Sequence, residues 1–189
     1  MRSAALLAAA APLSALAHHG QPHIPRIYVI LYRGETPVEQ GFREYLAERK
    51  LEAELIVRNV ELDASRVPAL LAEARALGVD LIYIGPDSFL AFHRHLLTQA
   101  ALDARLPTYA ATEVNVRRSR AMFGLVSGYH QLGRLTAHKA TQILYHGVRP
   151  DAIPIETLGS FSYLVNTDVA AQLGIPLPKS VLQRAELIR

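Results

Sequence analysis

Short apolar, β-branched runs alternate with amphipathic helical patterns along almost the whole chain, and this alternation constrains the fold more than any other feature. Ile27 to Tyr32 is a continuous apolar run, the pattern of a strand buried on both faces. Similar short runs recur at Ala53 to Val57, Asp80 to Gly85, Pro107 to Ala111 and Met122 to Val126. Between them the spacing is helical. Pro37 fits a first helical turn capped by Thr36, and Phe42, Tyr45 and Leu46 give that helix its apolar side. Val67, Leu70, Leu71 and Ala74 form the stripe of a second helix over 65–77, closed by Gly78. A third helix is expected over 89–104, behind the caps Asp87 and Ser88. A long helix over 131–145 is expected to turn Leu132, Leu135, Ile143 and Leu144 inward. Ile153 to Ile155 and Phe161 to Val165 read as extended, Thr167 to Leu173 as a short helix, and Ser180 to Leu187 as a last amphipathic turn. Strand–helix alternation predicts an α/β fold: a doubly wound, mostly parallel sheet with helices on both faces.

Residues 1–17 follow a different grammar. Arg2 precedes an Ala/Leu-rich run that ends in Ala15-Leu16-Ala17, the pattern of a secretory signal peptide. The run is too short for a bilayer-spanning helix. The expectation is an exported protein that is soluble in a periplasmic or secreted setting once the leader is removed. The chain has no cysteine, so disulfides, thiolate metal sites and a thiol nucleophile are excluded. Residues 18–25 read as a flexible leader. His18, His19 and His23 within it can hold a metal weakly, or simply be solvated. Residues 26–189 then form one domain.

The formal net charge is +3, but Arg117, Arg118 and Arg120 are the densest basic cluster and no aromatic residues interleave with them. Nucleic acid is therefore not an expected partner. Neither glycine-rich phosphate cradle, G-x-G-x-x-G or G-x-x-x-x-G-K-[ST], is present, so no nucleotide cofactor is expected. No G-x-S-x-G elbow surrounds Ser127, and no H-E-x-x-H set gives a metal centre.

Open α/β sheets bind ligands outside the carboxyl ends of their strands. That rule nominates Glu35 and Thr36, Asp87 and Ser88, Thr112 and Glu113, and the turn holding Ser127 and Tyr129. Hydroxyls and helix-start N–H groups suit a ligand carboxylate, and Asp87 or Glu113 suits an ammonium. Tyr32, Phe89 and Tyr129 offer apolar walls. The set fits an amino acid or a similar small molecule bound without catalysis. Thr36, Asp87 and Ser88 also read as helix caps alone.

Two stretches go beyond fold class. One runs from Arg26-Ile27-Tyr28 through Tyr32-Arg33-Gly34-Glu35-Thr36 and Glu39-Gln40-Gly41-Phe42 to Ala53-Glu54-Leu55-Ile56-Val57-Arg58. The other begins at Tyr83-Ile84-Gly85-Pro86-Asp87-Ser88 and continues through Leu106-Pro107-Thr108-Tyr109 and Gly124-Leu125-Val126-Ser127 to Ile153-Pro154-Ile155-Glu156-Thr157-Leu158. Together they resemble the ABC-transporter substrate-binding family, of the tryptophan- and tyrosine-type periplasmic component. The resemblance implies Rossmann-like lobes of the periplasmic-binding-protein type I, a small-molecule ligand, no cofactor, and permease subunits in the membrane as partners. Such proteins have two lobes. Here the first reads as joined to the second near 79–85, which implies one hybrid lobe with strand order 2-1-3-4-5. The alternatives are a secreted α/β enzyme using Asp87 or Glu113 as general base, and a shortened remnant that binds nothing.

Overall fold

The computed structural model describes residues 23–189; the leader reading of residues 1–17, and His18 and His19, lie outside them. One sheet of seven strands organises the domain: β1 (Arg26–Leu31), β2 (Glu54–Asn59), β3 (Leu81–Ile84), β4 (Thr108–Ala110), β5 (Phe123–Val126), β6 (Ser162–Asn166) and β7 (Glu186–Ile188). Its order is β2-β1-β3-β4-β5-β6-β7, and only the β5–β6 pair is antiparallel. The first five strands thus follow the expected 2-1-3-4-5 order.

The side chains of β1 explain its central place. Tyr28 and Ile30 enter one apolar cluster, while Val29 and Leu31 enter another on the opposite face. The first cluster is covered by α2 (Val67–Ala76) and α4 (Arg94–Asp103) through Val67, Leu71, Leu97 and Ala101. Ile82 and Ile84 of β3 are wholly buried there, and truncating such a side chain to alanine costs about 2–5 kcal/mol. On the other face, α1 (Pro37–Glu48) lays Phe42 on Tyr83, with ring centroids 5.7 Å apart, and Tyr83 stacks on Tyr109 at 5.9 Å. A polar clamp joins three elements on the first face. Glu73 of α2 accepts from Tyr28 Oη at 3.0 Å and from Arg58 Nη2 at 2.6 Å.

Several expectations are corrected. The helix expected over 89–104 breaks at His93, whose backbone (φ −88°, ψ 17°) leaves the helical basin, giving α3 (Ser88–Phe92) and α4. A short helix, α5 (Glu113–Arg117), follows β4 where none was expected. Ile153 to Ile155 belongs to no strand and follows a 3₁₀ turn at Pro150–Ala152. After α7 (Thr167–Leu173), the last segment divides into α8 (Lys179–Arg184) and β7. The long helix, α6 (Tyr129–Leu144), carries no buried residue at all, so Leu132, Leu135, Ile143 and Leu144 are not core. Periodicity marks an apolar face, but it does not say that the chain supplies something to cover it.

Candidate functional site

The carboxyl ends of β1, β3, β4 and β5 lead into α1, α3, α5 and α6, so the nominated residues lie along one edge of the sheet. Thr36 is the N-cap of α1. Its hydroxyl accepts from the Val38 N–H at 3.2 Å, and both its own N–H (2.8 Å) and its hydroxyl (2.6 Å) donate to Glu39 Oε2. This reciprocal box follows from Thr-x-x-Glu, since the free N–H groups of a first helical turn need acceptors. Thr36 is therefore committed to capping. Glu35 is tied to Arg43 of the same helix at 2.6 Å.

Asp87 caps α3 in the same manner, accepting from the Leu90 N–H at 2.7 Å. Burial pushes its carboxyl above the usual range, helped by the charge on Glu39 and opposed by the Leu90 and Phe89 N–H groups. Glu39 is itself buried, and a Cβ on Gly85 would meet its Oε1 at 3.4 Å. Two carboxylates, Glu39 and Asp87, thus lie near the end of β3, and sequence reasoning named only the second.

Thr112 and Glu113 open α5. The Thr112 hydroxyl accepts from Asn115 Nδ2 at 2.9 Å, and Asn115 is wholly buried with its Oδ1 unpartnered. Glu113 accepts from the Tyr129 N–H at 3.2 Å, which pins the start of α6, and from Arg117 Nε at 3.2 Å. Arg117 continues to Glu186 at 2.7 Å. That pair holds the guanidinium more firmly protonated than usual and the Glu186 carboxyl below its ordinary value. Glu113 is thereby occupied within the protein.

A groove of about 540 Å³ opens at this edge, lined by Asp87, Ser88, Phe92, Arg94, Thr112 and Tyr129 with Pro86, Ala91 and Val114. Four nominated residues meet there: Asp87, Ser88, Thr112 and Tyr129. Glu35, Thr36, Glu113 and Ser127 do not line it. Of the expected aromatic walls only Tyr129 takes part. Phe89 packs against the core and His93, and Tyr32 sits under the Arg33 guanidinium. Phe92 and Arg94 were missed. Arg94 donates from Nη1 to the Ala91 carbonyl at 3.0 Å, its Nε is buried without a partner, and it forms no ion pair among the described residues. The signal for it was faint, because an arginine inside the helix expected over 89–104 reads as surface until that helix breaks at His93.

A second cavity, of about 500 Å³, lies beside β5 and β6 under Leu177 and Val181. Its walls are largely apolar, and it lacks the convergent polar groups that fix a ligand. No cluster of three or more metal-ligating side chains occurs among the described residues; His23 instead sits 2.9 Å from Asp80. No helix among them is long and apolar enough to cross a membrane.

The fold has solved counterparts. A conserved domain protein from Vibrio cholerae O1 biovar El Tor is 27% identical with a TM-score of 0.73, matching 89% of this chain and 56% of its own. The ABC domain from Streptococcus pneumoniae, solved in complex with L-Trp, is 20% identical with a TM-score of 0.72, matching 88% and 57%. The ligand-free, open form of CD0873, a substrate binding protein with adhesive properties from Clostridium difficile, is 20% identical with a TM-score of 0.67, matching 87% and 54%. The chain therefore spans little more than half the length of these structures. No curated protein matches it. The family model for ABC transporter substrate binding proteins matches residues 20–188, which is nearly the whole chain. The protein belongs to the ABC transporter substrate-binding protein family.

Proposed function

We propose that the strand-end groove binds a small zwitterion with an apolar or aromatic side chain, an amino acid being the simplest such ligand, and that the chain serves as the solute-binding component of an ABC transporter. One observation carries this reading: a carboxylate, Asp87, and a guanidinium with no carboxylate partner among the described residues, Arg94, line the same groove. Asp87 suits the ligand ammonium and Arg94 its carboxylate, a charge-assisted pairing on each side. Ser88 and Thr112 add hydroxyls, while Phe92 and Tyr129 offer ring faces. The Streptococcus pneumoniae structure, which holds L-Trp, supports the ligand class.

The role is recognition without chemistry. The groove contains no nucleophile paired with a base, and Asp87 is held as a helix cap. After export and removal of residues 1–17, the loaded protein would be presented to permease subunits in the membrane. The domain is read as a hybrid of two family lobes joined near 79–85. Uninterrupted parallel pairing from β1 through β3 to β4 supports that reading, since it lets both parts share one interior.

Thermal denaturation against the common amino acids and organic acids tests the proposal. A ligand at about 100 times its dissociation constant stabilises the native state by about 2.7 kcal/mol, a shift of several degrees for a domain of this size. A panel that leaves the midpoint unmoved at millimolar concentrations would reject it.

A further inference from the structure

We infer that the cavity beside β5 and β6 is a second ligand site, one for a small carboxylic acid with an apolar body. The body would lie between the sheet and the chain that returns over it, with the carboxylate held by Arg184. Strand pairing builds the floor. Phe123 opposes Val165 and Leu125 opposes Tyr163 in the antiparallel β5–β6 pair, so these four share one face of the sheet. Leu164 turns to the other face and is wholly buried in the main core. Tyr163 stays 57% exposed, so its face is only partly covered.

The cover is the segment from 174 to 185. Gly174 ends α7 in the left-handed conformation, with φ 73°, and the Ile175 N–H donates to the Ala170 carbonyl at 2.9 Å. Pro176 and Pro178 have no N–H to offer, so this stretch cannot join the sheet as a strand. It leads through α8 into β7, which does pair with β6, Leu187 against Val165. A segment fastened at both ends and unable to pair between them leaves a space of about 500 Å³ beside the strands. Small-molecule sites occupy about 300–1,000 Å³.

The lining decides the ligand. Tyr163, Ser180 and Arg184 are the only polar side chains on it, Arg184 is the only charged one, and no carboxylate lines it. Arg184 forms no ion pair among the described residues. Glu186, two residues on, is held by Arg117 at 2.7 Å. A zwitterion has no carboxylate here for its ammonium, which separates this site from the strand-end groove. A ligand that needs only one polar anchor does fit, because a planar guanidinium takes a carboxylate through two hydrogen bonds. One guanidinium balances one unit of charge, which favours a monocarboxylate over a phosphate of nearly two. The two sites also differ in place: the groove lies at the carboxyl ends of the strands, whereas the cavity takes Met122 and Phe123 at the amino end of β5. The inference does not rest on what the groove binds.

Methyl-resolved NMR titration of the purified protein with octanoate, octanamide and octylammonium tests it. Octanoate is expected to shift the Leu177 and Val181 methyls saturably, with a dissociation constant of about 1 mM or tighter. It is expected to bind about fivefold more tightly than octanamide, with octylammonium the weakest of the three. Arg184→Gln, at an exposed position, is expected to bring octanoate down to the affinity of octanamide while octanamide itself is unaffected. Octanoate that moves neither methyl up to about 10 mM overturns the proposal. So does an octanoate affinity that Arg184→Gln leaves intact. Shifts at the Ala91 methyl in place of Leu177 and Val181 would put the acid in the groove and overturn it as well.

Discussion

The Asp87 carboxylate accepts the Leu90 N–H at 2.7 Å while it also lines the groove, so one side chain both starts α3 and faces the space a ligand would fill. Burial disfavours its ionised form and pushes its pKa up. The charge is therefore held at a cost to stability, a common condition for a group kept for binding.

Asp87→Asn separates the two roles. Asparagine caps about as well as aspartate, so α3 survives. The sign follows from the raised pKa: above it the native state carries an unfavourable charge, and below it that penalty vanishes. The variant is expected to be as stable as wild type or more stable near neutral pH, with the difference shrinking as the solution is acidified. Urea denaturation at several pH values checks this, and a variant that loses stability at neutral pH would show that the charge is supported and not strained.

Thr36→Ala removes the hydroxyl that accepts from Val38 and the donor to Glu39. A lost N-cap costs about 0.5–2 kcal/mol. The upper part of that range is expected, because buried Glu39 also loses a donor. Chemical denaturation at constant pH measures it, and a loss within error would mean that water replaces the hydroxyl.

Tyr83 gives an alkaline signature. Burial first, then the charge on Glu39 and the neighbouring Tyr109, push its phenol up to about 12. The native state prefers the neutral phenol, so this contribution is complete below the ordinary value near 10 and is lost as pH rises from there toward about 12. Tyr83→Phe is expected to flatten the fall in stability over that window. Thermal midpoints measured between neutral and strongly alkaline pH would show it.

Gly124 tests the packing between β4 and β5. A Cβ there would lie 2.3 Å from the Ala110 carbonyl oxygen, which is backbone and cannot rotate away. Gly124→Ala is expected to destabilise by about 2–4 kcal/mol, as overpacking against a fixed group does. An alanine variant with wild-type stability would mean that the two strands can part locally.

The sheet was legible in the sequence because each of its first five strands announces itself by composition alone: Ile27 to Tyr32 is apolar on both parities, and only a buried strand needs that. The caps Thr36 and Asp87 were legible for a similar reason, since their chemistry is satisfied within three residues. What depends on longer-range placement was not. The turn at His93 that brings Phe92 and Arg94 to the groove has no glycine or proline to mark it. The antiparallel return of β6 beside β5 follows a connection of 35 residues, from 127 to 161, which local pattern does not resolve. The exposed face of α6 carries the same periodicity as a buried one.

Isothermal titration with L-tryptophan, tryptamine and indole-3-propionate tests the zwitterion groove most directly, because the last two remove one charged end each. The proposal predicts that the intact amino acid binds wild type at least tenfold more tightly than either analogue, an effect of about 1.4 kcal/mol or more. It further predicts that Asp87→Ala abolishes the advantage over indole-3-propionate, and Arg94→Ala the advantage over tryptamine. Equal affinity for all three, or a preference that both variants leave intact, would contradict it.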